Sequence, residues 1–237
     1  MAFIQGVGAI MTKVSRLSVI IPAHNEAQTI GPLVEAVRAL GYDCIVIDDG
    51  SEDKTFEVAS QAQGVVLRTG GKSGKGNALK IGFDYAIKNG YEALIAMDGD
   101  GQHSPSDIAA FVNCYQNSHA DIVTGNRMQN PQGMPLVRLI TNRFMSWLIS
   151  FFCHQNIPDT QCGYRLIKTK VLETIKLESS DFEIETEVLI KASKKKFKIA
   201  SVGIQTIYRD EVSKIQPVRD TFRFIAYLWR ELLRKND

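Results

Sequence analysis

The sequence predicts an α/β fold, in which a mostly parallel sheet carries helices on both faces. Short apolar segments alternate with segments of helical periodicity throughout residues 17–125, which is typical of βαβ units. Several apolar segments end in acidic or polar residues, and ligands of parallel sheets bind outside the carboxyl ends of the strands. With 237 residues, of which 44% are hydrophobic, the chain is long enough for one large domain with a full core.

Five strands are predicted in the first half of the chain, because each is a short apolar run bounded by polar or turn residues. They are residues 17–21, the segment CIVIDDGS, residues 65–67, the segment ALIAM and the segment DIVTG. The first is closed by Pro22, which has no N–H to donate to a sheet. The polar segments PAHNE, DDGS and DGDGQH stand at the ends of the first, second and fourth strands, so we expect them to share one edge of the sheet.

Four helices alternate with these strands. The first, TIGPLVEAVRAL, has Pro32 in its first turn, apolar residues at helical spacing and Gly41 just after its end. The others are KTFEVASQA, ALKIGFDYAIKNG and SDIAAFVNCYQN. A glycine-rich basic loop, RTGGKSGKGN, leads into the third helix.

After residue 125 the regular alternation gives way to longer helices. MPLVRLITNRFMSWLISFF predicts a long apolar helix, and VRDTFRFIAYLWRELLRK predicts a final amphipathic helix. No internal repeat, low-complexity tract or linker divides the chain. We therefore predict an N-terminal extension, 1–16, and a single domain, 17–237, built from two different halves, 17–125 and 126–237.

Composition and charge exclude several classes of protein. A net charge of +2 argues against a nucleic-acid-binding protein held by bulk electrostatics. The four cysteines lack the spacing of a zinc site, which favours reduced thiols. No apolar run reaches the ~20 residues of a membrane span, and the first ten residues lack the basic start of a signal peptide. These observations predict a cytoplasmic protein.

Two aspartates, Asp98 and Asp100, follow the predicted strand ALIAM, and Gln102 continues the same alternation. Residues two apart in extended chain point the same way, so these oxygen atoms can face one point. Hard oxygen ligands suit Mg²⁺ or Mn²⁺, which take substrate phosphates as further ligands. Gly99 and Gly101 would let a phosphate approach the backbone closely. The alternative is a polar surface turn, in which Asp and Gly are common.

A second acidic pair, Asp48 and Asp49, ends the second strand. A carboxylate there could accept hydrogen bonds from a base or a ribose. The alternative is capping of the next helix, to which Ser51 and Asp53 are also suited, and the two roles are compatible. The loop RTGGKSGKGN lacks the spacing of a P-loop, so it is either an anion site at a helix start or a solvated mobile loop.

The segment 122–158 contains no acidic residue, but holds Arg127, Arg138 and Arg143 among many large apolar side chains. A solvated helix face normally mixes both signs of charge. The segment therefore favours an anionic and apolar partner, such as a membrane surface or a lipid phosphate. The alternative is a core helix with incidental arginines.

The segment DFEIETEVLI places Glu183 and Glu187 one helical turn apart, with Glu185 between them. Paired carboxylates can act as acid and base. Acidic residues in a first helical turn also complement the helix dipole, and we favour this second interpretation.

Six segments occur in a fixed order: VIIPAHNE, IVIDDGSEDKT, GKGNALKIG, MDGDGQHSP, VTGNRM and DTQCGYRLI. Together they resemble the family 2 glycosyltransferases, whose GT-A fold has a Rossmann-like, mostly parallel sheet. Within that family the chain is similar to the dolichyl- or polyprenyl-phosphate mannosyl- and glucosyltransferases, over about residues 17–235. The resemblance implies that 17–125 is the nucleotide-sugar-binding half and 126–237 the acceptor-side half, with membrane-facing helices.

The resemblance also implies roles for individual residues. A nucleotide-sugar donor would contact Pro22, His24, Glu26, Ile47, Asp49, Asp98, Gly99, Asp100, Arg127, Arg209 and Lys214. Asp98, Asp100 and Gln102 would hold Mg²⁺ or Mn²⁺ as the cofactor and, with it, the diphosphate of the donor.

Other implied roles concern phosphate binding and closure of the site. Arg127 would contact the diphosphate or the acceptor phosphate, and Arg209 and Lys214 in YRDEVSK resemble a lid over the donor. The lid lacks the glycines of the family pattern. His24 stands where a tyrosine is common, which implies weaker stacking on the base.

The implied reaction is an inverting, metal-dependent transfer of a hexose from a GDP-mannose- or UDP-glucose-type donor to a polyprenyl or dolichyl phosphate at the cytoplasmic membrane face. The candidate catalytic residues are Asp98, Asp100, Arg127 and Asp159, and the candidate acceptor-phosphate residues are Arg138, Arg143 and Arg165. An acceptor phosphate is already ionised at pH 7, so no strong general base is needed. A sugar hydroxyl, the alternative acceptor, would need one, and Asp159 would then be the candidate base.

Two further functions compete with this one. A nucleotidyltransferase would also use carboxylates, a metal and a basic loop, but would release pyrophosphate. A non-catalytic nucleotide-sugar-binding module would bind the donor without turnover. The expected partners are a nucleotide-sugar donor, a lipid phosphate and a membrane surface, with a separate membrane protein as a further candidate and no nucleic acid.

Overall fold

The computed structural model describes residues 16–131 and 133–205. The strands in these ranges are β1 Leu17–Ala23, β2 Asp43–Asp48, β3 Val65–Arg68, β4 Ala93–Ala96, β5 Ile122–Asn126, β6 Arg165–Lys168 and β7 Ile199–Gly203. The helices are α1 Ile30–Ala39, α2 Thr55–Gln61, α3 Lys75–Lys88, α4 Ile108–Ser118, α5 Leu136–Cys153, α6 Thr169–Thr174 and α7 Glu183–Lys194. The predicted final helix and the predicted lid residues Arg209 and Lys214 lie outside the described residues.

The described strands form one seven-stranded sheet in the order β3-β2-β1-β4-β6-β5-β7. β1 pairs in parallel with β2 and β4, β2 with β3, and β5 with β7. β6 runs antiparallel to both of its neighbours, β4 and β5. The sheet is therefore mostly parallel, as predicted, and one reversed strand joins its two parallel parts.

Helices cover both faces of the sheet, because successive side chains of a strand point to opposite faces. Ile20 of β1 packs on the face covered by α3, α5, α6 and α7. Its neighbour Ile21 packs on the face covered by α1, α2 and α4. The prediction of an α/β domain with helices on both faces is confirmed.

The structure adds two strands that the sequence did not predict. β6 has only four residues, of which the first and last are Arg165 and Lys168, so it lacks the uninterrupted apolar run of a buried strand. β7, Ile199–Gly203, includes small and polar residues and pairs with one neighbour among the described strands, β5. Both complete the sheet beside β5, so the two predicted halves share one sheet.

Candidate active site

The carboxyl ends of β1, β2 and β4 meet at one edge of the sheet, which we call the rim. Parallel pairing brings Ala23 opposite Asp48, the last residues of β1 and β2. The loop after β1 is bonded to both neighbours: His24 Nδ1 lies 2.9 Å from the Asp49 carbonyl oxygen, and the Thr29 hydroxyl donates to the Gly99 carbonyl at 2.6 Å. The predicted convergence of the three polar strand ends is confirmed.

Asp98 and Asp100 stand at the end of β4 in different electrostatic environments. The ammonium of Lys75 lies 2.6 Å from Asp98 Oδ1. Burial alone would raise the pKa of Asp98, but the charge of Lys75 outweighs it and holds that pKa below its usual value. For Asp100, burial and then the charge of Asp98 raise the pKa to about 6. The repulsion between the two carboxylates therefore contributes to the raised pKa of Asp100, while Lys75 keeps Asp98 ionised.

Lys75 contacts a second carboxylate as well. Its ammonium is 2.7 Å from Glu185 Oε1, and the two carboxylates raise the pKa of Lys75 although burial opposes this. We call Lys75, Asp98 and Glu185 the Lys75 cluster. A Cβ atom on Gly163 would stand 2.7 Å from Glu185 Oε1 and 3.0 Å from Asp98 Oδ2, so a larger residue there would displace the side chains of the cluster.

His103 lies behind Asp98 and is only 5% exposed. Its Nε2 is 3.9 Å from Asp98 Oδ2, and its ring packs against the ring of Tyr164 with the centroids 5.0 Å apart and the planes tilted by 37°. Burial lowers the pKa of His103 to about 4, against the opposing charge of Asp98, so the imidazole is neutral at pH 7. His103 therefore adds no positive charge to the rim at pH 7.

Asp49 holds the glycine-rich loop. Its carboxylate accepts hydrogen bonds from the Ser73 N–H at 2.8 Å, the Ser73 hydroxyl at 2.6 Å and the Gly74 N–H at 2.9 Å. Burial opposes ionisation, but these hydrogen bonds lower the pKa of Asp49 overall. Gly50 is required beside it, because its φ is +67° and a Cβ would lie 2.5 Å from the carbonyl carbon of Gly71. The loop is thus fixed against the rim.

Asp48 and Asp53 have structural roles. Asp48 is fully buried, with Oδ2 at 3.1 Å from Arg68 Nε and Oδ1 accepting from the Ser51 N–H at 2.9 Å. Asp53 accepts from the Thr55 N–H at 2.9 Å, at the start of α2. The N-cap residue of α2 is Lys54, and Asp53, one residue before it, bonds the first N–H of the helix. Ser51 does not cap α2, because its hydroxyl accepts from the Asn25 N–H.

Arg127 and Asp159 form a buried, two-point ion pair next to the rim. Arg127 Nε donates to Asp159 Oδ2 at 2.7 Å, and the second guanidinium nitrogen donates to Oδ1 at 2.9 Å. Asp159 is fully buried and also accepts from the backbone N–H groups of Arg127 and Gln161. Both carboxylate oxygens are thus engaged, which does not suit the predicted general base.

Arg165 and Ile47 lie deeper than their predicted roles require. The guanidinium of Arg165 is 2% exposed and donates to the carbonyl oxygens of Thr160, Cys162 and Glu185. An acceptor phosphate could reach it only if it left these carbonyl groups. The side chain of Ile47 is fully buried in the core, so only its backbone is left for a nucleotide contact.

The remaining predicted donor residues lie at the rim. His24, Glu26 and Pro22 are half-buried, and Gly99 packs so closely that a Cβ there would lie 3.2 Å from the Pro22 carbonyl oxygen. Gln102 is half-buried in the turn after Asp100 and donates its N–H to Asp100 Oδ1 at 2.9 Å.

Helix α5 carries the acid-free segment, with one face buried and one exposed. Met145, Ile149 and Cys153 pack into the core. The opposite face is a stripe of large apolar side chains that are each more than half exposed, which we call the exposed stripe: Leu136, Val137, Ile140, Phe144, Trp147 and Phe151. Within the described residues, α5 is the one helix whose length and composition would allow it to cross a membrane.

The acceptor-side arginines differ in exposure along this segment. Arg143 is exposed beside the stripe and Arg138 is half-buried. Arg127 precedes α5 and is tied into the rim by Asp159. At the other side of α5, the Ser146 hydroxyl accepts from the Thr160 N–H at 2.9 Å, which links the helix to the loop that holds Asp159.

Comparisons with known proteins agree with this arrangement. The model of the family described as glycosyl transferase family 2 matches residues 18–176. The chain belongs to this family. The UDP-N-acetylglucosamine–dolichyl-phosphate N-acetylglucosaminyltransferase of Methanococcus voltae is 29% identical over 214 residues, which cover 81% of this chain and 85% of that protein. The polyprenol monophosphomannose synthase of Mycolicibacterium smegmatis is 30% identical over 194 residues, covering 75% and 72%.

A solved structure supports the same fold for this glycosyltransferase. The crystal structure of glucosyl-3-phosphoglycerate synthase from Mycobacterium tuberculosis, with Mn²⁺, uridine diphosphate and phosphoglyceric acid, gives a TM-score of 0.72 at 18% identity. The match covers 94% of this chain and 80% of that one. The predicted GT-A fold and the predicted glycosyltransferase family are therefore confirmed, and the family match favours glycosyl transfer over the nucleotidyltransferase alternative.

The rim of this glycosyltransferase suits a divalent cation. Two carboxylates follow one strand, and burial together with the charge of Asp98 raises the pKa of Asp100 to about 6. A cationic group, the Lys75 ammonium, already lies against Asp98. Among the described residues, no three His, Cys, Asp or Glu side chains form a ready metal cage. The carboxylates of Asp98 and Asp100 are hard oxygen donors of the kind that Mg²⁺ and Mn²⁺ prefer. The chain turns between them and Gln102, with Gly101 at φ +72°, so the extended spacing predicted for the three residues is not found.

The sequence missed the partners of these acids. Lys75 and Glu185 lie far apart in the chain and meet only because α3 and α7 converge beside β4. For the loop RTGGKSGKGN the sequence left an anion site and a solvated loop open, whereas Lys75 of this loop is bonded to two carboxylates. Glu187, the other predicted acid of α7, is fully buried, where it accepts from the Glu178 and Ser179 N–H groups.

Proposed function

We propose that this glycosyltransferase transfers a hexose from a nucleotide sugar to a polyprenyl or dolichyl phosphate, with Mg²⁺ or Mn²⁺ as cofactor and inversion at the anomeric carbon. The observation that carries the proposal is the position of the exposed stripe. It lies on α5, whose Ser146 is bonded to the loop that contains Asp159, and Asp159 pairs with Arg127. An apolar surface is thus coupled to an anion-binding side chain at the donor site.

The exposed stripe supports a lipid-linked acceptor rather than a water-soluble one. From Val137 to Phe151 its apolar residues recur every three or four positions, so they form one continuous face of α5. The face carries Arg143 and no acidic residue, which suits the anionic headgroups of a membrane. Met145, Ile149 and Cys153 anchor the opposite face in the core, so α5 would lie in the membrane interface instead of crossing the bilayer.

The rim supports binding of the donor diphosphate. A bound divalent cation would neutralise the leaving diphosphate and make the bond to the sugar easier to break. Asp98, Asp100 and Gln102 would hold that cation, and His24 and Glu26 would line the nucleotide site. The donor-facing roles of Arg209 and Lys214 belong to this proposal and concern residues outside those described.

The pairing of Arg127 supports a phosphate acceptor. Asp159 fixes the guanidinium of Arg127 through two hydrogen bonds, which orients a permanent positive charge. A phosphate oxygen bound there is already ionised and attacks without a general base. Arg138 and Arg143 would attract the lipid phosphate from the membrane side. The engaged state of Asp159 argues against the alternative sugar-hydroxyl acceptor.

The proposed site of action is the cytoplasmic face of a membrane, where the protein would associate peripherally. The relatives named above differ in the sugar they transfer, N-acetylglucosamine in one and mannose in the other. Both are named for polyprenol-type lipid acceptors, in agreement with the acceptor proposed here. The sugar and base of the donor are therefore the variables that an experiment has to scan.

The test is a donor panel assayed against polyprenyl phosphate in vesicles. GDP-mannose, UDP-glucose and UDP-N-acetylglucosamine are each supplied with Mn²⁺, Mg²⁺ or EDTA, and radiolabelled sugar is counted in the lipid extract. We expect one donor to label the lipid with metal and none with EDTA. Polyprenol without phosphate is the matched control and should stay unlabelled. Absence of lipid label with every donor and metal, or equal label on polyprenol, would overturn the proposal.

A further inference from the structure

We propose that Lys75 serves as the counter-ion of Asp98 until a divalent cation binds, and that Glu185 is the positioning residue that retains Lys75 beside the donor diphosphate afterwards. The inference rests on the function proposed above. It assigns a role to two residues outside the predicted site and to the charge balance of the rim.

The contacts of the Lys75 cluster support a shared ammonium. Lys75 Nζ is 2.6 Å from Asp98 Oδ1 and 2.7 Å from Glu185 Oε1, so one positive charge serves two carboxylates. The side chains are 17%, 27% and 14% exposed for Lys75, Asp98 and Glu185, which limits screening by water. With Asp100 next to Asp98, the cluster keeps an excess of negative charge that a divalent cation would neutralise.

Lys75 lies at the end of α3 that disfavours a positive charge, so its position there requires stabilising partners. Lys75 is the first residue of α3, and the N-terminus of a helix favours anions over cations. The backbone N–H of the preceding Gly74 is held by Asp49, so the start of the helix points toward the rim. A lysine in this place is stabilised by Asp98 and Glu185, which offset the unfavourable end of the helix dipole.

Glu185 is anchored independently of Asp98. It lies in the first turn of α7, and its carbonyl oxygen accepts a hydrogen bond from the buried Arg165. Asp98 by contrast belongs to the turn after β4. A cation bound to Asp98 repels the ammonium, which can then keep its hydrogen bond to Glu185 with a small rotation of its flexible side chain. Lys75 would thereby become available to an oxygen atom of the diphosphate.

The test measures Mn²⁺ affinity by electron paramagnetic resonance of the free ion, on the full chain without donor. We expect Glu185→Gln to weaken Mn²⁺ binding about five- to tenfold, because Lys75 then interacts with Asp98 alone. The double variant K75M/E185Q removes the competing ammonium with no change in net charge. It should bind Mn²⁺ several-fold more tightly than Glu185→Gln, and at least as tightly as the wild type.

A second measurement follows UDP and GDP binding by calorimetry at saturating Mn²⁺. K75M/E185Q should bind the better of the two nucleotides about tenfold more weakly than the wild type, since the diphosphate loses a cationic partner. Thermal melting controls for folding. A merely structural role of the pair would lower both affinities in step with the melting temperature. That result, or a Glu185→Gln variant that binds Mn²⁺ as tightly as the wild type, would overturn the inference.

These readouts need no acceptor, so they separate the inference from the proposed function. Affinity shifts of the expected signs in a protein that labels no lipid would support the role of Lys75 and reject the lipid phosphate. Normal lipid labelling with unshifted affinities would reject the role of Lys75 alone. A wild-type protein without measurable Mn²⁺ binding would reject the inference together with the metal dependence of the proposed function.

Discussion

Asp98 and Asp100 are two residues apart on one strand end, yet only Asp98 has a cationic partner, Lys75 Nζ at 2.6 Å from its Oδ1. Asp100 accepts a hydrogen bond from the Gln102 N–H and otherwise meets the negative field of Asp98. An ionised carboxylate therefore stabilises the folded state at position 98 and destabilises it at position 100. This asymmetry is what the proposed cation site requires, and it can be tested without metal.

The first prediction concerns the stability of the metal-free protein. At pH 8 in EDTA, Asp100→Asn should stabilise the fold by about 1–2 kcal/mol, because the pKa of Asp100 is raised to about 6 and its ionisation costs folding free energy. The gain is present above pH 6 and vanishes as the pH falls toward 4, where Asp100 is protonated in the wild type. Urea unfolding at several pH values measures it.

Asp98→Asn is the matched control for this experiment. It removes a partner of the buried Lys75 ammonium, so it should destabilise the protein by about 1–3 kcal/mol under the same conditions. The pKa of Asp98 is lowered, and the stability that this residue contributes is therefore lost as the pH falls below 4. If both substitutions shifted stability in the same direction at pH 8, the asymmetry described here would be wrong.

The core of the sheet and its rim could be predicted from sequence, because both depend on local patterns. Val and Ile runs mark buried strands, and parallel strands bring their carboxyl ends together without further information. The ionic partners could not be predicted. Lys75 and Glu185 are separated by 110 positions in the sequence. Their ion pair can be identified only when the packing of α3 against α7 is known.

Arg165 is a residue whose predicted ligand-binding role was replaced by a structural one. Its place in DTQCGYRLI suggested an exposed residue for phosphate, but the segment is partly strand β6, and its guanidinium donates to three backbone carbonyl groups. Strand β6 has only four residues, and the first and last are basic. This short pattern predicts neither a buried strand nor its antiparallel direction. The distinction between an arginine for a ligand and an arginine for the core thus required the fold.

The second prediction concerns the buried pair of Arg127 and Asp159. Asp159→Asn should destabilise the protein by about 3 kcal/mol, because it leaves the guanidinium buried without its counter-charge. Loss of activity in this variant would therefore not identify Asp159 as a general base. The double variant R127M/D159L, which removes both charges, should recover at least half of the lost stability, measured by urea unfolding. Failure to recover it would mean that the pair itself contributes the stability.

The third prediction concerns Gly163, whose Cα faces the Lys75 cluster. Gly163→Ala would bring a methyl group to 2.7 Å from Glu185 Oε1 and 3.2 Å from Lys75 Nζ. These are the ends of flexible side chains, so we expect less than about 1 kcal/mol of lost stability, but a ten- to hundredfold fall in kcat/KM for sugar transfer. Gly70→Ala, in the glycine-rich loop where a Cβ meets nothing within 4 Å, is the control and should keep both values.

The fourth prediction concerns the exposed stripe and its membrane contact. Trp147 and Phe151 are 64% and 63% exposed, so replacing both with Ser should leave the melting temperature within about 2 °C of the wild type. Transfer of these rings into a lipid interface is worth about 1.5–3 kcal/mol each, and the double variant should lose at least tenfold in binding to vesicles. Co-sedimentation with sucrose-loaded vesicles measures the partition coefficient.

Two controls make the membrane prediction specific. Leu40→Ser removes a half-exposed apolar residue from the end of α1, on the opposite face of the sheet, and should leave vesicle binding unchanged. Arg143→Glu should weaken binding to anionic vesicles while leaving binding to neutral vesicles nearly intact, because only the former present negative headgroups. The substitution removes both aromatic rings, which are the proposed lipid contacts. If the Trp147/Phe151 variant still bound anionic vesicles as tightly as the wild type, α5 would face something other than lipid.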